Sequence, residues 1–214
     1  MSTIALYAGE MLGGAVVTLE LTVGATVVSL FAGAMGAVGR LYGPKPLRAF
    51  VLAYVETIRG LPAILQLFIL YFGLTQFGVD IPAYWAAFLW LCLYGTGYAV
   101  EIFRAGLQGI PQGQHEATAA LGLTRFESMR RVIIPQAWVA MLPALTNFVV
   151  LELKNTTLVY FIGVQDIMFH TRLGVSNSGQ PLAIYGIAAV IYIILNGTVG
   201  RIGGLLEKRA SVAG

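Results

Sequence analysis

Residues 111–135 read PQGQHEATAALGLTRFESMRRVIIP, a charged and glycine-punctuated stretch. It is set between WLCLYGTGYAV at 90–100 and QAWVAMLPALTNFVVL at 136–151, which carry no charge at all. A polar island between apolar runs of this length has to sit outside hydrocarbon, because unpaired polar groups are costly there. It therefore reads as a surface presented to a soluble partner by a chain that is otherwise embedded.

Composition agrees. The 214 residues are 57% hydrophobic and 11% charged, with mean hydropathy +0.79, whereas a soluble domain averages about 25% charged. Five apolar runs, at 11–39, 49–76, 82–103, 136–161 and 182–206, are each long enough to cross about 30 Å of hydrocarbon as helix. The expected fold is all-α and membrane-integral: one domain over 1–214 with five transmembrane helices, and the 111–135 loop between the third and fourth. The first run has no Lys or Arg before it and is too long for a cleavable signal, so it reads as a retained helix.

Basic residues orient the bundle, since short loops rich in Lys and Arg stay cytoplasmic. Arg40, Lys45 and Arg48 follow the first run; Arg104, Arg125, Arg130 and Arg131 follow the third; Arg201, Lys208 and Arg209 follow the last. These are ten of the 13 basic residues, and the opposite face has Arg172 alone. The N-terminus is expected outside, the C-terminus inside, and 111–135 in the cytoplasm. The net charge of +3 follows from this topology without any nucleic acid.

Other chemistries find little support. No stretch fits the phosphate-cradling G-x-x-x-x-G-K-[ST] pattern. Cys92 is alone among apolar neighbours, and His115 and His170 are expected on opposite sides of the membrane. No His, Cys or paired Asp constellation suits a membrane-embedded enzyme. Gly9 with Gly13 and Gly200 with Gly204 have the spacing that lets helices approach closely, read as packing.

Within the insert, Pro111 is suited to open a short helix over QGQHEATAAL, and Gly122 to supply a left-handed stop. Thr124 and Glu127 have capping-box spacing for a second helix, and Pro135 marks the turn into the fourth span. The expectation is a helix, a sharp turn and a second helix outside the bilayer.

Ionisable residues within spans usually face a cavity or pair with one another. Here they are Glu20, Arg59, Glu152 and Lys154, with Glu101 near the cytoplasmic end of the third run. Pro62 disfavours helix at Leu61 and removes a backbone bond, so the second span is expected to break beside Arg59 and Gly60. Arg59 has two readings, a structural pair with Glu56 one turn away or a group facing the pathway. In a regular helix Glu152, Asn155 and Thr156 share a face while Lys154 points about 200° from Glu152, so both charges face one cavity only if the helix unwinds.

Glu116-Ala117-Thr118, Gly122 and Val132-Ile133-Ile134-Pro135 resemble the EAA signature of ATP-binding-cassette (ABC) importer permeases. Thr118, Val132 and Ile134 depart conservatively from its usual Ala, Ile and Leu. TLELT at 18–22, AYVETIRGLPAILQLFILYFGL at 53–74, Tyr98, EIFRAG at 101–106 and LKNTTLVYFIG at 153–163 are similar to the branch for polar amino acids. The resemblance implies a permease subunit of the bacterial inner membrane that pairs with an identical or paralogous permease. Two ABC ATPases would dock on the EAA loop through Gln114, His115, Glu116, Ala117, Ala120, Leu121, Gly122 and Leu123, Gly122 serving because a side chain would crowd the turn or the partner. An extracytoplasmic amino-acid-binding protein would deliver substrate. No cofactor is implied on this chain; ATP and Mg belong to the ATPase, and the permease itself is no enzyme.

The charges within the spans and the polar cluster of the fourth nominate Arg59, Gly60, Leu61, Glu152, Lys154, Asn155 and Thr156 as substrate contacts, with pairing to neighbouring helices or across the subunit interface as the other reading of Glu152 and Lys154; the resemblance implies that Arg59 to Leu61, Glu152 and Asn155 lie near the binding region. Asn155 stands where many members carry Asp, which weakens the expectation of a cationic side chain, and the LKNTTLVY wording at 153–160 with the 161–181 loop leans towards acidic or amide amino acids. A secondary amino-acid transporter driven by an ion gradient is the competing reading, and it would need internal inverted repeats that five helices do not display.

Overall fold

The computed structural model describes residues 3–213; Met1, Ser2 and Gly214, the ends of the 1–214 domain, lie outside them. The helices are α1 (Thr3–Tyr42), α2 (Lys45–Gly60), α3 (Ala63–Gln76), α4 (Ala83–Gln108), α5 (Gln112–Ala120), α6 (Arg125–Ser128), α7 (Ile134–Asn155), α8 (Ile167–Ser178) and α9 (Pro181–Ala213). Among the described residues four helical stretches are long and apolar enough to cross a membrane, and α2 with α3 makes five if that bent pair is one span. The outermost helices overrun the expected limits, because charge at a helix end does not stop the backbone ladder once it leaves hydrocarbon.

Contacts between helices define their directions. Ser29 Oγ donates to the Cys92 carbonyl (3.1 Å) and Arg40 pairs with Glu101, so α1 and α4 run parallel. Gly95 approaches Glu152 while Gly106 meets Met141, so α7 runs against α4. Gly203 meets Thr146, and Thr146 Oγ1 donates to Glu207 Oε1 (3.2 Å), tying α9 to α7.

The largest buried cluster joins Leu21 and Ala25 of α1, Leu67 of α3, Trp90, Leu91 and Tyr94 of α4, and Val159 and Ile162 beyond α7. Long apolar residues such as Val23, Val27 and Phe31 on α1 and Ile193 and Ile194 on α9 stay exposed, as lipid-facing positions do. Close helix approach comes from glycines other than those expected. Gly9, Gly13, Gly200 and Gly204 have open space where a side chain would begin, whereas a Cβ at Gly33 would collide with Ala99 and one at Gly203 with Thr146. Spacing along a helix cannot tell which stripe faces inward; rotation about its axis does.

The second span breaks where expected. α2 ends at Gly60, Leu61 and Pro62 are extended, and α3 departs at 108° to α2. The buried Gln66 closes the wound, its Nε2 donating to the carbonyls of Ile58 (2.7 Å) and Leu61 (2.9 Å) that the break would leave without partners.

The polar insert holds a correction. α5 and the left-handed Gly122 (φ +73°) are as expected, and Thr124 caps the next helix through the full capping box. The second helix, however, is not separate. α6 continues through a π-helical turn, Met129–Ile133, into α7, and Pro135 lies inside this continuous run instead of marking a turn. Proline conflicts with the carbonyl four residues back. The wider turn, in which the Ile134 N–H reaches the Met129 carbonyl, relieves this just ahead of Pro135.

Candidate functional site

Two regions collect the residues singled out by sequence. The first is α5 and its turn. Gln112, Gly113, His115, Glu116, Ala117, Ala119, Ala120, Leu121 and Gly122 are exposed, Gln114 and Leu123 half-buried, and Thr118 fully buried. Thr118 Oγ1 donates to the His115 carbonyl (2.9 Å) and lies 2.7 Å from Ser128 Oγ. Threonine has one hydroxyl proton, so Ser128 is the donor in the second bond. Gln136 Nε2 donates to Gln114 Oε1 (3.1 Å), giving a further tie between α5 and α7. The element is therefore braced from behind while its outer face is bare. Leu121 is 77% and Phe126 72% exposed, beside a groove of about 570 Å³ lined by His115, Ala119, Leu123, Phe126 and Met129.

Gly122 has nothing within 4 Å of where a side chain would begin. Within this chain its reason is the positive φ and not crowding of the turn.

The second region lies around the broken span. Glu101 is held by Arg40 from α1 and by Arg104, whose Nη2 donates to Oε2 at 2.8 Å. Arg59 also faces this carboxylate, with Nη1 3.9 Å from Oε2, and its guanidinium stands 6.0 Å from the Tyr98 ring centre. The partner of Arg59 is thus Glu101 with Tyr98, and not Glu56, because α2 packs along α4 through Val51, Val55 and Ile58 and so brings Arg59 to that helix. Gly60 and Leu61 are exposed beside it.

From Tyr98 the polar path continues inward. Tyr98 and Tyr94 hydroxyls are 3.1 Å apart, and Tyr94 lies beside Asn155 and Glu152. Glu152 is completely buried, and neither carboxylate oxygen has a hydrogen-bond partner, nor does Asn155 Nδ2. α7 stays regular through Asn155 before tightening into a 3-10 segment, Thr156–Ile162. Lys154 consequently faces outward, away from Glu152, while Thr156 is buried and donates to the Leu153 carbonyl (2.7 Å). Glu152 and Asn155 converge; Lys154 does not join them within this chain. Glu20 is exposed on α1.

An open groove runs between α4 and α7 past these residues. One part, about 460 Å³, is lined by Arg59, Tyr98, Glu101, Ala140, Met141 and Ala144; the next, about 300 Å³, shares Tyr98 and Ala144 and adds Asn147 and Leu151. Sequence reasoning missed Gln66, Tyr94 and Ser128. Gln66 and Tyr94 had signals, a polar side chain four residues beyond a proline break and a tyrosine one turn from Tyr98; Ser128 had none, because its partner Thr118 lies on another helix.

Residues 25–212 match the family described as binding-protein-dependent transport system inner membrane components. The chain belongs to this family, as a permease component of an ABC transport system. The chain is 35% identical to the octopine transport system permease protein OccM of Rhizobium meliloti, over 95% of this chain and 85% of that one. It is 36% identical to the arginine ABC transporter permease protein ArtQ of Haemophilus influenzae (86% and 85% covered). It is 30% identical to the histidine/lysine/arginine/ornithine permease HisQ of Escherichia coli (96% and 95%). The crystal structure of an amino acid ABC transporter with histidines superposes with TM-score 0.90 at 36% identity, covering 96% of both chains. An inward-facing structure of the MetNI methionine transporter shares the fold at TM-score 0.72 and 20% identity, covering 98% of this chain and 97% of that one.

Proposed function

We propose that this chain is the permease subunit of an ATP-driven importer of polar amino acids in a bacterial inner membrane, with its N-terminus outside and its C-terminus in the cytoplasm. The observation that carries the reading is the likeness, over nearly the whole chain, to a solved amino-acid ABC transporter. The groove between α4 and α7 would be one wall of the translocation pathway, completed by a second permease. α5 and its turn, from Gln114 to Leu123, would seat an ABC ATPase carrying ATP and Mg, and an extracytoplasmic binding protein would deliver substrate. Alternating access follows if ATPase closure pushes on α5, because the unbroken α6–α7 run would transmit that push to the groove.

Substrate recognition is assigned to the two ends of the polar path. Arg59, on the exposed lip of the break with Gly60 and Leu61, suits a carboxylate. Glu152, a buried acid with unpartnered oxygens, suits an ammonium once the groove opens, with Asn155 and Thr156 beside it. Lys154, facing away, would contribute only across the subunit interface. Relatives named for arginine, for histidine, lysine, arginine and ornithine, and for glutamine are 36%, 30% and 32% identical. Overall identity therefore does not select the side chain; the LKNTTLVY stretch and the 161–181 loop lean towards acidic or amide substrates.

The test is uptake of labelled amino acids into proteoliposomes containing the permease with its co-purifying ATPase and binding protein. Uptake that needs internal ATP and the ATPase supports the importer. Uptake that persists without the ATPase and collapses with a proton or sodium ionophore would replace it with a gradient-driven carrier.

A further inference from the structure

Arg59 is the loosest member of its cluster. Glu101 receives Arg104 Nε at 3.3 Å and 3.2 Å, Arg104 Nη2 at 2.8 Å, and Arg40 on Oε1. That leaves Glu101 well supplied with charge-assisted donors before Arg59 is counted. Arg59 Nη1 stops 3.9 Å from Oε2, a distance of attraction without a hydrogen bond, and its side chain is 52% exposed and lines the groove. The carboxylate does not need Arg59, whereas Arg59 has no other acidic partner within ion-pair distance among the described residues.

The groove they share encloses about 460 Å³, within the range of about 300–1,000 Å³ usual for small-ligand sites. Its other walls include Tyr98, Ala140, Met141 and Ala144, and no further cation lines it. A substrate carboxylate entering here has Arg59 as its available guanidinium, and it must draw that group from Glu101.

Resting on the reading of Arg59 given above, we propose that Glu101 is a positioning residue that competes with the substrate carboxylate for Arg59. Glu101 parks the guanidinium in the empty groove and reclaims it when substrate leaves, so release towards the cytoplasm is helped by an internal carboxylate that replaces the departing one. Arg40 and Arg104 keep Glu101 in place throughout and prevent it from following Arg59.

The test uses the permease–ATPase complex in lipid nanodiscs, without the binding protein, and equilibrium binding of each of the twenty tritiated protein amino acids. Glu101→Gln removes the competing charge and is expected to lower Kd by up to about fivefold, the range for one partly exposed ion pair. In uptake, KM and the maximal rate should fall together as release slows. Arg59→Gln should weaken binding at least about tenfold, and the double variant should match Arg59→Gln.

An unchanged or higher Kd in Glu101→Gln, with Arg59→Gln still weakened, overturns the inference and leaves the Arg59 reading intact. Wild-type affinity in Arg59→Gln, or a wild type retaining none of the twenty, overturns both. Should Glu101→Gln fail to assemble, Glu101→Asp keeps the charge between Arg40 and Arg104 but lengthens the gap to Arg59; a smaller tightening is expected, and none would overturn the proposal.

Discussion

Thr118 Oγ1 and Ser128 Oγ, ten residues apart in sequence, lie 2.7 Å from each other with both side chains buried, and this bond fastens α5 to α6. Thr118 occupies the position where the EAA signature usually has Ala, and Ser128 supplies what its extra hydroxyl requires. Thr118→Ala leaves Ser128 without its acceptor and should cost about 1–2 kcal/mol locally, while Thr118→Ala with Ser128→Ala should recover most of that loss. Amide hydrogen exchange across 112–128 measures both. Additive losses in the double variant would remove the bond from the account of this loop.

Gly122, at φ +73° with open space around it, separates two roles that the sequence could not. Gly122→Ala carries only the backbone penalty of the left-handed region, about 1–2 kcal/mol, and Gly122→Asn should carry less because Asn tolerates that region. If the two variants lose ATPase co-purification in that order, backbone shape governs docking. Equal and complete loss would instead indicate that the partner tolerates no side chain there.

Acid should undo the cap on α6. The Thr124 backbone N–H (3.1 Å) and hydroxyl (2.9 Å) donate to Glu127 and hold its carboxyl below the ordinary glutamate range. A depressed folded-state pKa means the stabilisation is present above the unfolded value and is lost as pH falls through the folded one. Protection of the 125–128 amides should therefore decline on acidification below the usual carboxylate range. A Glu127→Gln variant, neutral throughout, should show no such decline; a decline equal to that of wild type would assign the effect to another group.

Much of this architecture was legible because it rests on local signals. The long apolar helices, the proline break at Leu61–Pro62, the left-handed Gly122 and the Thr124–Glu127 box each depend on a continuous local stretch of sequence. Readings that depended on helix rotation fared worse. The glycine pairs at 9 and 13 and at 200 and 204 have the right spacing but face open space, and Arg59 turned to Glu101 across the bundle instead of to Glu56 on its own helix. The continuity of α6 into α7 was hidden for another reason. Proline is ordinarily a boundary, yet the helix passes Pro135 with a π-helical turn just ahead of it and passes Pro143 as well.

Gln66 gives the sharpest test of how the broken span is held. Its single amide nitrogen serves two carbonyls on the far side of the break, those of Ile58 and Leu61, from a largely buried position. Gln66→Leu keeps the side chain's approximate size while removing both bonds, leaving two backbone acceptors without partners. The expected loss is about 1–3 kcal/mol, read as a lower midpoint of thermal unfolding in detergent. Because Arg59 rides on the last turn before the break, the same variant should raise KM for uptake even at temperatures where it remains folded. Gln66→Glu checks that the amide donor is what matters. It preserves shape but offers no donor when ionised, so it should reproduce the KM change. A variant that is destabilised yet transports with wild-type KM would show that the bend itself, and not the placement of Arg59, is all that Gln66 secures.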